Sequence, residues 1–276
     1  DVAKLCFIIL AGKYNELKSN YNSSCLTLPI DILCNKTYLQ HYIESILAIE
    51  VYANDGLIDN DDKTRLPLII MTSNDTYQAI YQLLKDNSNF GMLDNQIILL
   101  KQMSVPLISD INGSFHIEPS NPFKIELTAH GHGDIHQLIY DYQMDDSLEE
   151  EEDDDKDKEV SEVSSSSSSK KSSLLSTWKE EGYEWLIFFQ DNNILALNSI
   201  LAAIGQCKLY NLSCTHIAIP RNINDNNHRI LCKLTNKKKS DEYFIGNIES
   251  NYLNDILTSK VDITRSDYLK VKDEMR

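Results

Sequence analysis

The sequence predicts an α/β domain on a largely parallel sheet, and three observations predict it. Short β-branched and aromatic runs alternate with amphipathic ones, the order that βαβ units leave in a sequence. At 276 residues and 42% hydrophobic, the chain can bury a substantial core as one large domain or two unequal ones. No apolar run approaches the ~20 residues of a membrane span, and the run behind Asp1-Val2-Ala3-Lys4 is too short for a signal segment.

Taken in order, the strand candidates are residues 6–10, 68–71, 97–100, 185–189, 216–219 and 243–248. Between them, residues 38–49 place Leu39, Tyr42, Ile43, Ile46 and Leu47 at helical spacing. Residues 76–84 and 135–142 read the same way, and 197–204 predicts a buried helix. Residues 54–65 read as a shorter polar loop. Residues 143–173 pass from an acidic run (Glu149 to Asp155) through serines 164–169 to Lys170 and Lys171, a composition that predicts a disordered insert in a surface loop. In open parallel sheets ligands gather beyond the carboxyl ends of strands, which directs attention to the loops after Leu10, Met71, Leu100 and Phe189.

The net charge of -16 argues against a nucleic-acid backbone or an anionic membrane as partner, since both need clustered Lys and Arg. Much of that charge sits in residues 145–159, leaving the remainder nearer neutral and able to receive an anionic ligand. The six cysteines show no C-x-x-C pair and no zinc-ligand spacing, so buried free thiols are expected, and the lack of a signal segment or membrane span predicts a cytoplasmic location.

Four motifs carry chemistry. Leu10-Ala11-Gly12 closes the first strand on a small-residue turn, which is either a plain turn or a ligand loop. Gln102 follows the third strand; its amide offers the donor and acceptor that a pyrimidine edge requires, and a solvated loop residue is the alternative. His130-Gly131-His132-Gly133-Asp134-Ile135-His136 has two glycines that admit a ligand to the backbone ahead of a helix N-terminus suited to anions. It also resembles the His/Asp metal cluster of metallo-β-lactamase-like hydrolases, with Ile135 breaking the register and no second cluster downstream. Asp191 lies at the tip of the hydrophobic run 185–189, where it either serves a magnesium-nucleotide or caps the next helix.

In combination and order, these segments resemble the UDP-sugar pyrophosphorylases, relatives of the UDP-glucose and UDP-N-acetylhexosamine pyrophosphorylases. The resemblance rests on Leu10-Ala11-Gly12, Leu28-Pro29, Tyr38 to Ile43, Ile70 to Thr76, Phe90-Gly91-Met92, Leu99 to Gln102, His130 to His136 and Leu186 to Asn193. It implies a Rossmann-like nucleotide-diphospho-sugar transferase (GT-A-like) fold, with a mixed, mainly parallel central sheet flanked by helices. Residues 1–142 would form its nucleotide-binding part and 174–276 its sugar-phosphate side, truncated at the C-terminus.

By matched position the resemblance assigns Ala11, Gly12, Met71, Thr72, Gln102, His132 and Gly133 to UTP, and Asp191 to Mg²⁺. It assigns Asn193, Glu249 and Asn251 to the sugar 1-phosphate side. The implied reaction is attack of a sugar 1-phosphate on the α-phosphorus of UTP, releasing pyrophosphate. This chain departs from the pattern in the phosphate loop: Lys13 and Asn15 stand at glycine positions, Leu17 at an Arg position and Cys25 at a Lys position. Lys13 and Lys18 are the candidate substitutes for the missing cations. A homologue that binds nucleotide or a partner without turnover is the alternative these departures raise.

Overall fold

The computed structural model describes residues 2–12, 24–30, 35–54, 63–110, 112–143, 173–217, 229–236 and 239–249. The chain divides into two compact units, Asp1–Thr215 and His216–Arg276.

In the first unit the strands are β1 (Leu5–Leu10), β2 (Leu68–Thr72), β3 (Ile97–Lys101), β4 (Ser104–Pro106), β5 (Leu127–Ala129) and β6 (Trp185–Gln190). The helices are α1 (Tyr38–Ala53), α2 (Tyr77–Asp86), α3 (Asp134–Asp141), α4 (Leu174–Glu180) and α5 (Ile200–Tyr210). The central sheet has the order β3-β2-β1-β6 and every pairing in it is parallel. Two further two-stranded sheets are antiparallel: β4-β5 in the first unit, and β7 (Arg229–Asn236) with β8 (Lys239–Glu249) in the second.

Alternation along β1 explains the layers. Leu5, Phe7 and Ile9 pack with α1, α2 and the buried side of α5, whereas Cys6 and Ile8 join Ile69, Met71, Ile135, Ile139, Leu174 and Trp178 on the other face. A sheet covered on both faces needs apolar residues at successive positions, and all five residues of β2 are buried. Each fully buried Ile or Leu here contributes about 1.5–3 kcal/mol of transfer free energy.

Helix α1 begins where the Thr37 side chain accepts a hydrogen bond from Gln40 N at 3.2 Å, a cap whose loss costs about 1 kcal/mol. It buries Leu39, Tyr42, Ile43 and Ile46, and also Glu50. That carboxylate accepts from Arg65 Nη1 (2.8 Å), Leu66 N (3.0 Å) and Gln96 Nε2 (2.8 Å), which ties α1 to the start of β2. Asn54 clasps the ends of the polar loop, donating to Thr64 O and accepting from Thr64 N, both at 2.9 Å.

The structure corrects three expectations. His216 and Ile217, predicted to open a strand, are in neither helix nor strand; the rest of that run lies outside the described residues. The 243–248 candidate belongs to β8 (Lys239–Glu249), which pairs antiparallel with β7 (Arg229–Asn236) in the second unit, not with the parallel sheet. The helix predicted at 197–204 starts with a 3-10 turn at Ala196–Ser199 and runs to Tyr210; it buries only Leu197, Ile200, Ile204 and Cys207 and leaves Leu201, Leu209 and Tyr210 exposed. The acidic and serine-rich tract lies outside the described residues.

The described residues of 104–129, a stretch without a strand or helix expectation, form a β-arm. Ser104 pairs with Ala129 at its base, and bridges Ile108–Phe115 and Ile117–Ile125 continue it outward.

Candidate active site

Register aligns the carboxyl ends of the four parallel strands: Leu10 lies beside Met71 and Gln190, and Thr72 beside Lys101. The segments that follow, Ala11-Gly12, Ser73, Gln102 and Asp191, therefore meet at one edge of the sheet.

Three buried side chains fix this edge. Gln102, only 3% exposed, donates from Nε2 to Gly12 O at 2.7 Å and accepts at Oε1 from Gly131 N at 3.2 Å. One amide thus braces the first turn against the His-Gly segment. A Cβ at Gly12 would lie 1.7 Å from Gln102 Nε2, so this position admits only glycine while the amide stays in place. Thr76 Oγ1 donates to Ala11 O at 3.0 Å and accepts from Ser73 N at 2.9 Å. Thr72 Oγ1 donates to Leu100 O at 3.1 Å. Met71 packs in the core beside Ile69. Met71 and Thr72 therefore present backbone to this edge while their side chains serve the interior. Ala11 is fully buried, its N–H on Met71 O at 2.9 Å.

Gly131 has φ of 143°, a conformation that favours glycine. His132 and Gly133 follow it and lead into α3. The first-turn N–H groups of α3 bond back to the carbonyls of Gly131, His132 and Gly133 at 3.3–3.5 Å, and Asp134 places a carboxylate in that turn. The expected anion-receptive helix end is therefore already supplied with acceptors from its own segment.

The histidines do not converge. His130 Nδ1 pairs with Asp134 Oδ1 at 2.6 Å, while the His136 ring lies 5.3 Å from that of Phe188. Among the described residues no group of three or more His, Cys, Asp or Glu could hold a metal. This geometry does not support the hydrolase reading.

Asp191 stands at the tip of β6, its N–H near Leu10 O at 3.4 Å and its carbonyl accepting from Tyr42 OH at 3.2 Å. Burial pushes its carboxyl up to about 6, against the opposing pull of hydrogen bonds from the Ser24 side chain and the backbone at Asp191, Cys25 and Asn192. Tyr42 packs edge-on against Phe189 at 5.1 Å. Its hydroxyl is pushed above its ordinary range, first by burial and then by the charge of Asp191. Asn193, two residues on, is exposed.

Sequence reasoning missed Thr76, Ser24 and Tyr42. Thr76 had a usable signal, because the spacing of Ser73 and Thr76 suits a local side-chain to backbone hydrogen bond; Tyr42 read as core, and Ser24 carried no motif. Glu249 lies in β8, paired with Arg229 in the second unit. Lys13, Lys18 and Asn251 lie outside the described residues.

No helix among the described residues is long and apolar enough to cross a membrane. Residues 3–154 match the family model described as UTP--glucose-1-phosphate uridylyltransferase. The UDP-sugar pyrophosphorylase of Arabidopsis thaliana is 34% identical over 222 residues, covering 80% of this chain and 31% of the plant protein. That of Oryza sativa subsp. japonica is 33% identical over 215 residues, covering 78% of this chain and 30% of the rice protein. The chain thus spans about a third or less of these relatives. A putative UDP-N-acetylglucosamine pyrophosphorylase from Entamoeba histolytica superposes with a TM-score of 0.64 at 18% identity, over 95% of this chain and 55% of that one. The Trypanosoma brucei uridine diphosphate N-acetylglucosamine pyrophosphorylase gives 0.60 at 17%, over 90% of this chain and 42% of that one. These two likenesses show a shared fold. With more than half its length matched by the family model, the chain belongs to the UTP--glucose-1-phosphate uridylyltransferase family.

Proposed function

We propose that this chain binds UTP beyond the carboxyl ends of β1, β2, β3 and β6, in a Rossmann-like, GT-A-like arrangement, and takes part in making a UDP-sugar and pyrophosphate from UTP and a sugar 1-phosphate. The observation that carries the reading is the Gln102 brace: one buried amide joins Gly12 to Gly131, two segments that family resemblance assigns to the nucleotide.

On this reading the base lies against a wall of backbone. Ala11, Gly12, Met71 and Thr72 form one side, and Gly131, His132 and Gly133 the other. Gln102 acts on the base by fixing both sides. Resemblance assigns Asn193 to the sugar phosphate, and Glu249 and Asn251 to the sugar hydroxyls.

The attacking phosphate oxygen is already anionic, so the reaction needs no general base. It proceeds in line at the α-phosphorus, and the chain's share is alignment and cationic stabilisation. Lys13 and Lys18 are the residues available for that charge in the diverged loop. Asp191 fits a Mg²⁺ site: it is a single desolvated carboxylate, and Mg²⁺ bound with a nucleotide takes one or two carboxylates, its other ligands being phosphate oxygens and water. Mg²⁺ held there would neutralise triphosphate charge. Departures at Leu17 and Cys25 favour, as the second reading, a chain that binds uridine nucleotide without turnover.

Calorimetric titration with UTP and with ATP, in Mg²⁺, tests the site. UTP preferred over ATP, with binding weakened in Gln102→Ala, is the expected result; equal or absent binding of both overturns it. Release of pyrophosphate on adding a hexose or pentose 1-phosphate separates turnover from binding alone.

A further inference from the structure

Among the described residues β3 has β2 as its only strand neighbour. On that side Gln102 N donates to Thr72 O, and Leu100 O accepts from Thr72 Oγ1. Backbone groups alternate in direction along a strand, so the N–H and C=O of Ile97, Leu99 and Lys101 point the other way, out of the sheet. Edges of this kind are ordinarily blunted by proline, a bulge or charge. β3 runs Ile97-Ile98-Leu99-Leu100-Lys101, with no proline and no charge before its last residue.

Beside this edge lies a groove of about 510 Å³, within the size range of ligand sites. Ile97, Ile98 and Leu99 line its base. Helix α2, which packs on the sheet face of Leu99, supplies Tyr77, Tyr81 and Lys85 to one wall, and Tyr142, which packs on the face of Ile98, stands across from them. Positions 77, 81 and 85 form one row on the helix surface, and Lys101 extends it. Lys101 Nζ lies 5.2 Å over the Tyr77 ring, Tyr77 and Tyr81 stack at 6.1 Å and 5°, and Lys85 Nζ lies 5.8 Å over Tyr81. Neither ammonium joins an ion pair among the described residues. The one carboxylate lining the groove, Asp94, accepts from Asn89 Nδ2 at 2.6 Å.

We propose that the open edge of β3 is a docking site for an extended peptide segment of a partner protein, added to the sheet as a further strand with acidic side chains at alternate positions along the Lys101, Tyr77, Tyr81 and Lys85 row. The outward N–H and C=O groups match the backbone of a strand. Tyr77 and Lys85 are separated by about 12 Å of helix, and four residues of strand cover about 13 Å, so acidic side chains at every second position keep step with the row. The intervening side chains then turn toward Tyr142 and Ile98, which suits β-branched or aromatic residues. The tyrosine ring faces are engaged by each other and by the ammoniums and offer no platform to a stacking base, which sets a nucleotide aside. The net charge of -16 opposes an acidic segment only at long range; at about 0.15 M salt, screening over ~8 Å leaves the two nearby ammoniums in control. The proposal stands whether or not the chain binds UTP.

Fluorescence anisotropy of the full chain at that salt, with a labelled eight-residue peptide of alternating glutamate and valine, tests it. Two matched peptides are compared: one of alternating lysine and valine, and the glutamate–valine peptide with every backbone amide methylated, which keeps its charge and loses its donors. The unmodified glutamate–valine peptide should bind saturably, and both others at least ~10-fold more weakly. The chain variant Lys85→Ala, Lys101→Ala should lose a similar factor; both side chains are exposed, and an unchanged far-ultraviolet spectrum ensures that lost binding is not lost folding. Saturating UTP with Mg²⁺ should leave the peptide bound. Failure of the glutamate–valine peptide to bind, equal binding of the methylated peptide, full binding by the lysine variant, or displacement by UTP each overturns the proposal.

Discussion

Replacing Gly12 by alanine tests the Gln102 brace directly. The new methyl would fall 1.7 Å from Gln102 Nε2 and 2.7 Å from Cδ, while the amide is buried and cannot simply swing into solvent. It must leave its place, breaking its bonds to Gly12 O and Gly131 N. Leaving a buried polar group unpaired costs about 1–3 kcal/mol, so Gly12→Ala should destabilise the chain by about 2–5 kcal/mol. Gln102→Ala breaks the same two bonds without the clash and should cost a similar amount. Because both variants lose one shared interaction, the double variant should be little worse than either alone, with a coupling energy of about 2 kcal/mol. Urea unfolding of the four forms measures this. A Gly12→Ala variant within about 0.5 kcal/mol of the native chain, or losses that simply add, would refute the reasoning.

Asp191 sets a pH dependence. Its carboxyl is raised from 3.8 to about 6, so the folded chain holds this proton more tightly than the unfolded chain. The group's contribution to stability is therefore greatest below about pH 4 and falls as pH rises to about 6, by roughly 3 kcal/mol at most. Asp191→Asn should flatten this part of the stability profile and be the more stable form at pH 7; a profile unchanged by the substitution contradicts the assignment. If Asp191 serves Mg²⁺, magnesium-dependent UTP binding should weaken as pH falls below about 6, which calorimetry in matched buffers detects. Glu50→Ala should cost about 3–5 kcal/mol, since it strips Arg65, Leu66 N and Gln96 of their shared acceptor. It should nonetheless leave UTP affinity within a few-fold, measured under conditions where the variant remains folded. Among Cys6, Cys25, Cys207 and Cys214, thiol titration followed by peptide mapping should find Cys214 labelled first. It is exposed, whereas the other three are buried and burial pushes the Cys6 thiol up.

The parallel sheet was legible because β1, β2, β3 and β6 are apolar runs, buried along nearly all of β1 and all of β2, whose hydrophobicity outweighs any ambiguity of period. Helix α1 was legible because Leu39, Tyr42, Ile43 and Ile46 mark one face. The β-arm was missed because its alternation is interrupted by Pro106, Pro119 and Pro122 and because its apolar face points outward. The Asn112-Gly113 turn, with Gly113 at φ 82°, was the signal that could have found it. Of the site, Gly12, Gln102 and Asp191 were found as residues at strand ends, but the partners of Gln102 were not. A sequence shows that an amide is available; it does not show that the amide is spent on two backbone groups 90 and 29 residues away. Thr72 and Met71 were assigned as contacts, whereas their side chains hold the interior, a distinction that needs the register.

The construction of this edge separates two properties that a single activity assay would merge. The part assigned to the base is backbone, held by buried groups on Gln102, Thr76 and Thr72 whose partners all lie within the first unit. The part assigned to phosphate chemistry depends on charge supplied by Lys13, Lys18 and Asp191, and the departures at Leu17 and Cys25 fall there. Removing one charge-stabilising donor typically costs 10²- to 10³-fold in rate, yet it need not disturb a backbone wall braced from behind. Substitutions in the loop should therefore act mainly on pyrophosphate release, and substitutions at Gly12 or Gln102 on UTP binding and folding together. Lys13→Ala and Lys18→Ala measured by both calorimetry and pyrophosphate release would show the split. If instead each lysine variant lost UTP binding as completely as Gln102→Ala, base recognition and phosphate charge would be one cooperative unit, and the separation argued from these hydrogen bonds would be wrong.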